Sequence, residues 1–314
     1  MNDQLIDPVV VARRSYAEEL RFTAHIHAPA VRAAFAAVPR ERFVGPGPWR
    51  VRSPMDMAEY WTTADADPRA VYHDVLIALD EARGINNGQP SLWAFLLDQL
   101  DILAGEQVLH LGCGTGYYTA VMAELVGPTG KITAIEIDPD LAEKARAALM
   151  PWPQVTVSNA DGANISFEPT DLVVASAGAT HPLSSWLDAL NLDGRLLFPM
   201  TATRHGGMLL VTREAEDGVA ARFLCQVGFI DFSGARDPNI GRRLAAALAR
   251  DRGGAVQSLR RDHHAKGRTC WLHGEGWCLS RRLRESESPA GGRCPLRCRS
   301  NGRGVSELKC LQPV

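Results

Sequence analysis

The residue types best suited to chemistry cluster in the run V-L-H-L-G-C-G-T-G-Y at positions 108–117. A short apolar stretch leads into a turn carrying Gly112, Gly114 and Gly116, and a helix begins at Tyr117. Glycine at such a turn lets the chain bend tightly and lets a ligand approach the backbone. Dinucleotide enzymes also use a glycine-rich turn, but their spacing is G-x-G-x-x-G; here the third glycine comes one residue early. Glu136 ends the run K-I-T-A-I-E, 20 residues after Gly116. A carboxylate there can accept hydrogen bonds from both ribose hydroxyls of a nucleoside. Asp161-Gly162 follows the next strand, where the acid can accept from an adenine amino group while neighbouring backbone reads the ring. Singly, these residues are also what a tight turn, a solvated acid and a turn cap look like. In this order, at the carboxyl ends of successive strands, they build one pocket. Cys113, inside the loop, reads as a small buried filler rather than a nucleophile.

The elements that must position these residues alternate in period. Gln107–Leu111, Lys131–Ile135, Val155–Val157, Leu172–Ala175 and Arg195–Phe198 read as strands. Helices are predicted at Tyr117–Val126, Pro139–Leu149 and near Pro182–Leu190. Gly207–Thr212 and Ala220–Val227 lack a helix between them and predict an antiparallel hairpin at one edge. The expected fold is therefore α/β, a doubly wound and mostly parallel seven-stranded sheet of Rossmann-like type. Upstream, residues 8–37 read as two helices and residues 91–103 as another. Three regions are expected: 1–90, helical and loop-forming; 91–250, the ligand-binding sheet; and 251–314, a basic, cysteine-containing tail without hydrophobic period. The last 34 residues hold eight Lys or Arg against three Glu and are expected to be disordered or a sequence artefact.

With 314 residues, 46% hydrophobic, 22% charged and a net charge of -2, the chain can bury a real core and carries no global charge for nucleic acid or membrane. No apolar run reaches the roughly 18 residues of a membrane span. The start, MNDQLIDPVVVARRSYAEEL, lacks the pattern of a signal peptide, so a cytoplasmic location is expected. Six of seven cysteines lie at or beyond Cys225, which is a property of the tail and not a secreted disulfide framework.

Further motifs resemble the protein-L-isoaspartate O-methyltransferase family. A-A-V-P-R-E-R-F-V (36–44) is similar to that family's A-x-x-V-P-R-E-x-F-V segment, Tyr72-His73-Asp74 to its Y-x-D, and Gln89-Pro90 to its S-Q-P turn. The glycine loop, Glu136, Asp161-Gly162 and G-R-L-L-F-P (194–199) follow in family order, so the likeness spans about residues 15–230. The resemblance implies a class I methyltransferase that uses S-adenosylmethionine, bound by Gly112, Gly114, Gly116, Tyr117, Glu136, Asp161, Gly162 and Ser176. It implies a protein or peptide substrate bearing an isoaspartyl carboxylate, whose methyl ester closes to a succinimide in protein repair. Some relatives instead methylate an ordinary aspartate in a peptide. Two departures fall in the substrate half. Gly88 stands where the family has serine, and the stretch from Leu76 to Gln89 runs about three residues long.

A carboxylate is already a nucleophile at neutral pH, so no general base is expected, and the substrate is positioned by Asn87, Gly88 and Gln89 and by the loop Ser176-Ala177-Gly178-Ala179. His181 is the best acid–base candidate, though a helix-start histidine is more often structural. Ser91 reads equally as a helix cap or a polar contact. A nucleic-acid base methyltransferase (acting on adenine in rRNA or tRNA) and a small-molecule methyltransferase are the alternatives. The first usually shows an Asn/Asp-Pro-Pro-aromatic run where this chain has A-S-A-G-A, and nucleic acid is not expected as a partner. His263, His264, Cys270, His273, Cys278, Cys294 and Cys298 suggest zinc, but C-x7-C and C-x3-C lack paired C-x2-C knuckles, so reduced cysteines and no metal are expected. W-L-H-G-E-G-W (271–277) reads as a short ordered piece packed on the main domain.

Overall fold

A computed structural model describes residues 7–214 and 219–282. Helices α1 (Pro8–Thr23) and α2 (Pro29–Ala37) open the chain, each with proline in its first turn. The Asp7 side chain caps α1 by accepting from Val9 N–H, one of the donors a helix start leaves unpaired. Four short strands follow, β1 (Arg50–Arg52), β2 (Trp61–Thr62), β3 (Leu76–Asp80) and β4 (Ile85–Asn86), forming an antiparallel sheet in the order β2-β1-β3-β4.

From α3 (Pro90–Leu100) onward the expected alternation holds: β5 (Gln107–Leu111), α4 (Tyr117–Val126), β6 (Lys131–Glu136), α5 (Pro139–Leu149), β7 (Val155–Asn159), β8 (Thr170–Ala175), α6 (Ser184–Asp188), β9 (Leu190–Thr201), β10 (His205–Arg213) and β11 (Val219–Gly228). Asp138 caps α5 by accepting from Asp140 and Leu141 N–H, and α4 ends at Gly127 with φ +66. Beyond β11 come α7 (Pro238–Asp251), β12 (Ser258–Arg260), β13 (Cys270–Gly274) and β14 (Trp277–Ser280).

The main sheet has the order β13-β14-β12-β11-β10-β9-β8-β5-β6-β7. Its β5–β9 strands pair in parallel and the rest antiparallel, including the expected β10–β11 hairpin. The sheet is therefore mixed and ten-stranded, not seven-stranded and mostly parallel. The difference comes from residues 251–282, expected to be irregular, which instead add three strands to the β11 edge. The W-L-H-G-E-G-W segment is the ordered piece it was read as, since it forms most of the β13–β14 hairpin. The region read as disordered beyond residue 282 lies outside the described residues, as do Cys294 and Cys298.

Side chains alternate between two cores, as the period-2 geometry of strands requires. Val108, Leu172, Val174 and Met208 face the layer of α1–α5, while Leu109, Leu111, Val173 and Leu209 face α6, α7 and the C-terminal hairpin. Strand order reverses between β5 and β8, so the loops after these strands diverge and leave a crevice at their carboxyl ends. No helix among the described residues is long and apolar enough to cross a membrane.

Candidate active site

A cavity of about 1140 Å³ occupies that crevice, and Gly112, Gly114, Glu136, Asp161, Gly162 and Ser176 all line it. Gly112 and Gly114 adopt φ +73 and +57, in the left-handed region, and a methyl group on either would meet no atom closer than ordinary van der Waals contact, the nearest lying 3.9 and 4.0 Å away. These two glycines thus leave room for a ligand against bare backbone. Gly116 is different: it does not line the cavity, and a methyl group there would come within 2.6 Å of the Leu149 side chain. What requires glycine there is packing, the close approach of the loop to α5. Tyr117 does line the cavity, while its ring packs between Phe35, Phe43 and Tyr118 with its hydroxyl 3.4 Å from that of Tyr16.

Glu136 is 6% exposed, and its two carboxylate oxygens accept from Gly114 N–H at 2.7 Å and Asp138 N–H at 3.0 Å. Burial raises its pKa above the ordinary glutamate value; the backbone donors oppose that shift without cancelling it. Asp161 accepts from Ala163 N–H and from the Asn164 side chain, and the Gly162 carbonyl accepts from the Trp186 indole. Cys113 is the filler it was read as: it is buried, and burial pushes its thiol well up.

Beneath the glycine loop lies a group that motif reading passed over. His110 is 1% exposed, with Nδ1 2.8 Å from Thr119 Oγ1 and Nε2 2.8 Å from Ser176 Oγ. It ties the start of α4 to the loop after β8, and its placement mid-strand, facing the α1–α5 layer, was the one available signal. Burial lowers its pKa to about 3. The unfolded chain therefore takes up this proton before the folded one does, so stability is lost as pH falls from about 6.5 towards 3. Urea titrations of the native protein and His110→Gln should show the native midpoint falling relative to the variant across that window, by about 1.4 kcal/mol per pH unit at the steepest. Parallel curves would mean that His110 titrates normally.

The other end of the cavity is built by the β3–β4 hairpin and the turn into α3. Asn87 is buried, and its Oδ1 accepts from the Arg40 guanidinium at 3.0 Å and Ile77 N–H at 3.4 Å. Those two donors fix the amide, so its Nδ2 is left buried without a hydrogen-bond partner among the described residues. Gln89 Nε2 donates to Ser91 Oγ at 2.8 Å, and Asp74 accepts from Ser91 Oγ at 2.6 Å and from Ser91 N–H at 2.8 Å. Asp74, the acid of Tyr72-His73-Asp74, is thus the helix cap, and Ser91 is both capped and a strut for Gln89. Arg52 and Arg204 line the same end, and neither has a carboxylate within ion-pair distance among the described residues. At the hairpin tip Arg83 pairs with Asp80 and, across to the start of α5, with Asp138; both Arg83 and Asp138 line the cavity.

Gly88 explains its own departure from serine. Its φ is +79, and a methyl group there would lie 2.7 Å from Trp93 Nε1 and 2.9 Å from the Tyr118 ring. Trp93 and Tyr118 are stacked at 4.6 Å, and the Tyr118 hydroxyl donates to the Gly88 carbonyl at 3.1 Å. Gly88→Ser should therefore destabilise the protein by about 2 kcal/mol from backbone strain and overpacking, and not act as a gain of function. Thermal melting checks this; an unchanged midpoint would show that the aromatic pair moves aside at little cost.

His181 does not line the cavity. Its Nδ1 lies 2.9 Å from Thr180 Oγ1 and its ring stacks on Trp277, which is the structural reading. Of the loop after β8, Ser176 and Ala177 reach the cavity, while Gly178 and Ala179 are tied by backbone hydrogen bonds to Ile230 and Pro199.

Known proteins share sequence and fold with this chain. A family model described as Protein-L-isoaspartate(D-aspartate) O-methyltransferase (PCMT) matches residues 13–237. The chain belongs to this family. A protein-L-isoaspartate O-methyltransferase of Methanothermobacter thermautotrophicus is 28% identical over 227 residues, 71% of this chain and 95% of that one. Protein-L-isoaspartate O-methyltransferase 1 of Geotalea uraniireducens is 31% identical over 215 residues, covering 67% and 87%. Among solved structures, a protein-L-isoaspartate O-methyltransferase aligns with a TM-score of 0.59 at 22% identity, covering 76% of this chain and 69% of that one. A Plasmodium falciparum chain assigned as a protein-L-isoaspartate O-methyltransferase, in complex with S-adenosyl-L-homocysteine, aligns with a TM-score of 0.57 at 16% identity, covering 71% and 98%. The two structures establish a shared α/β methyltransferase fold.

Proposed function

We propose that this member of the protein-L-isoaspartate O-methyltransferase family methylates a carboxylate of isoaspartyl, or aspartyl, residues in proteins or peptides, with S-adenosylmethionine as donor. One end of the cavity carries this reading: among the described residues Asn87 Nδ2 is buried without a partner, and Arg52 and Arg204, which pair with no carboxylate, line the same end. A buried amide donor and arginines without carboxylates suit an anionic substrate, since leaving such donors unmade is costly.

The opposite end fits the cofactor. Bare backbone at Gly112 and Gly114 gives it room, Glu136 would accept from its ribose hydroxyls, and Asp161 with Gly162 would meet its adenine. Ser176, held by His110, would border it from the loop after β8. When bound, S-adenosylmethionine supplies a methyl group made electrophilic by a sulfonium leaving group.

The chain's own residues then need only hold, orient and keep dry. The acceptor carboxylate is ionised at neutral pH, so proton removal is not required. Asn87, Gln89 and the backbone at Gly88 position the carboxylate, and the Arg83 clamp to Asp138 ties the hairpin tip to the start of α5 at the cavity wall. Positioning alone can supply much of the rate, because fixing two reactants replaces a bimolecular encounter. Ester formation would create the leaving group that succinimide closure in protein repair requires. The loop after β8 offers no aromatic residue to stack an extruded base, so the nucleic-acid alternative gains no support.

Radiolabelled methyl transfer to matched isoaspartyl and aspartyl peptides is the direct test. Base-labile label on either supports the proposal, and label on neither, despite measurable cofactor binding, overturns it. Arg204→Met should raise KM for the labelled peptide about tenfold while leaving cofactor affinity unchanged. An unaltered KM would remove Arg204 from the substrate site.

A further inference from the structure

We infer that His264, Cys270, His273 and Cys278 form a structural zinc site that fastens the C-terminal hairpin to the edge of the sheet. One ligand atom from each of the four residues can be chosen so that all lie within 4.8 Å of one another. The Cys270 Sγ to His264 Nε2 distance, 3.5 Å, already matches the roughly 3.6 Å edge of a tetrahedron with zinc–ligand bonds near 2.0–2.3 Å. His273 and Cys278 face each other across the β13–β14 pair, Cys270 sits at the strand's bulged start, and His264 comes from the preceding loop. The sequence pattern is H-x5-C-x2-H-x4-C.

Three further observations point to a cation and not merely to a polar cluster. Among the described residues His273 Nδ1 is buried and has no hydrogen-bond partner, a costly arrangement that a metal bond would relieve. His264 Nδ1 lies 3.0 Å from the Asp262 carbonyl, leaving Nε2 directed at Cys270; a backbone carbonyl commonly orients a metal-binding imidazole in this way. Gly267 N–H donates to Cys270 Sγ at 3.3 Å, which favours a thiolate. Two thiolates and two neutral imidazoles around a divalent ion sum to zero charge, suiting a site whose members are buried or half-buried. Two sulfur and two nitrogen ligands select zinc by softness, and four protein ligands leave no position for a reacting water.

The site would act on the fold. It closes the loop before β13 onto a hairpin whose β14 strand pairs with β12, and through it with β11. Trp277 of that hairpin stacks on His181, just after the loop that follows β8, and Trp271 donates to Asp251 at the end of α7.

The test is metal analysis of the full chain purified under reducing conditions from zinc-supplemented cells. We expect about one zinc per chain, retained when Cys294, Cys298 and Cys310 are all changed to serine and lost in Cys270→Ser and in Cys278→Ser. Cobalt reconstitution of the unmutated protein should give the visible bands of a tetrahedral site with thiolate-to-metal charge transfer, a readout that does not depend on any variant folding. His264→Cys should keep the metal and strengthen the charge-transfer band. Chelation should lower the thermal midpoint by about 5 °C or more. Zinc that survives Cys278→Ser, zinc lost in the triple serine variant, absence of both zinc and a cobalt spectrum, or a Cys270–Cys278 disulfide in its place would each overturn the proposal.

Discussion

Arg40→Met should destabilise the protein by about 3–5 kcal/mol, lowering the thermal midpoint on the order of 10 °C. Arg40 is fully buried, and no carboxylate pairs with it among the described residues. Its guanidinium donates instead to the carbonyls of Val71 at 2.7 Å, His73 at 2.8 Å and Val75 at 2.7 Å, and to Asn87 Oδ1 at 3.0 Å. The rings of Tyr16 and Tyr117, 5.9 and 5.7 Å away, supply cation–π contacts that help hold the buried charge. Methionine fills similar volume but removes all four bonds in a space closed to solvent, leaving the His73 carbonyl only Val75 N–H and Asn87 Oδ1 only Ile77 N–H. The loss should also be visible in catalysis, because Asn87 is held through Arg40 and forms part of the proposed substrate end. Arg40→Lys should recover only part of the stability, since a point ammonium cannot serve four acceptors spread across a planar fork. A melt within two or so degrees of the native protein would mean that water replaces the guanidinium without penalty.

The same residue shows what sequence can and cannot disclose. V-P-R-E is conspicuous as a motif, yet the acceptors of Arg40 lie 31 to 47 residues downstream, and nothing local announces them. Strand β5, the glycine turn and α4 were legible to the residue because local rules agree there: apolar alternation, left-handed glycines and a helical period. Glu136 and Asp161 followed from their positions at strand ends. The sheet β1–β4 was not legible, since strands of two to five residues carry too little alternation to register. Gly116 looks like a ligand contact in a motif but packs against Leu149, distant in sequence, while Tyr117 lines the cavity and also packs its ring in the core. The strands of residues 251–282 escaped for the same reason as β1–β4, being only three to five residues long. Cysteine-to-cysteine spacing is the usual guide to a zinc site, whereas the four clustered side chains alternate histidine with cysteine across a loop and a hairpin.

Glu136→Gln should weaken binding of S-adenosyl-L-homocysteine by about 100-fold, equivalent to roughly 2.7 kcal/mol. Two charge-assisted hydrogen bonds to a ribose, each contributing about 1.5–3 kcal/mol in a buried site, would set that scale. The carboxylate is prepared for them: Gly114 and Asp138 N–H hold its two oxygens in place, and it is nearly out of solvent. Glutamine keeps one acceptor oxygen but turns an amide donor toward one of those backbone N–H groups, which misaligns the group as well as discharging it. Burial also gives the site a pH signature. Because the folded chain holds the Glu136 proton more tightly than the unfolded one, folding stability falls as pH rises through the interval between the ordinary value of 4.5 and the raised one. Cofactor affinity runs the other way, since the ionised form is the better acceptor, so it should decline on acidification sooner than an ordinary glutamate would allow. Calorimetric titrations from about pH 8 to about pH 5 would show this decline in the native protein and a flatter profile in Glu136→Gln. Equal affinities for the two proteins would place the ribose elsewhere in the cavity and leave Glu136 as a brace for the glycine turn alone.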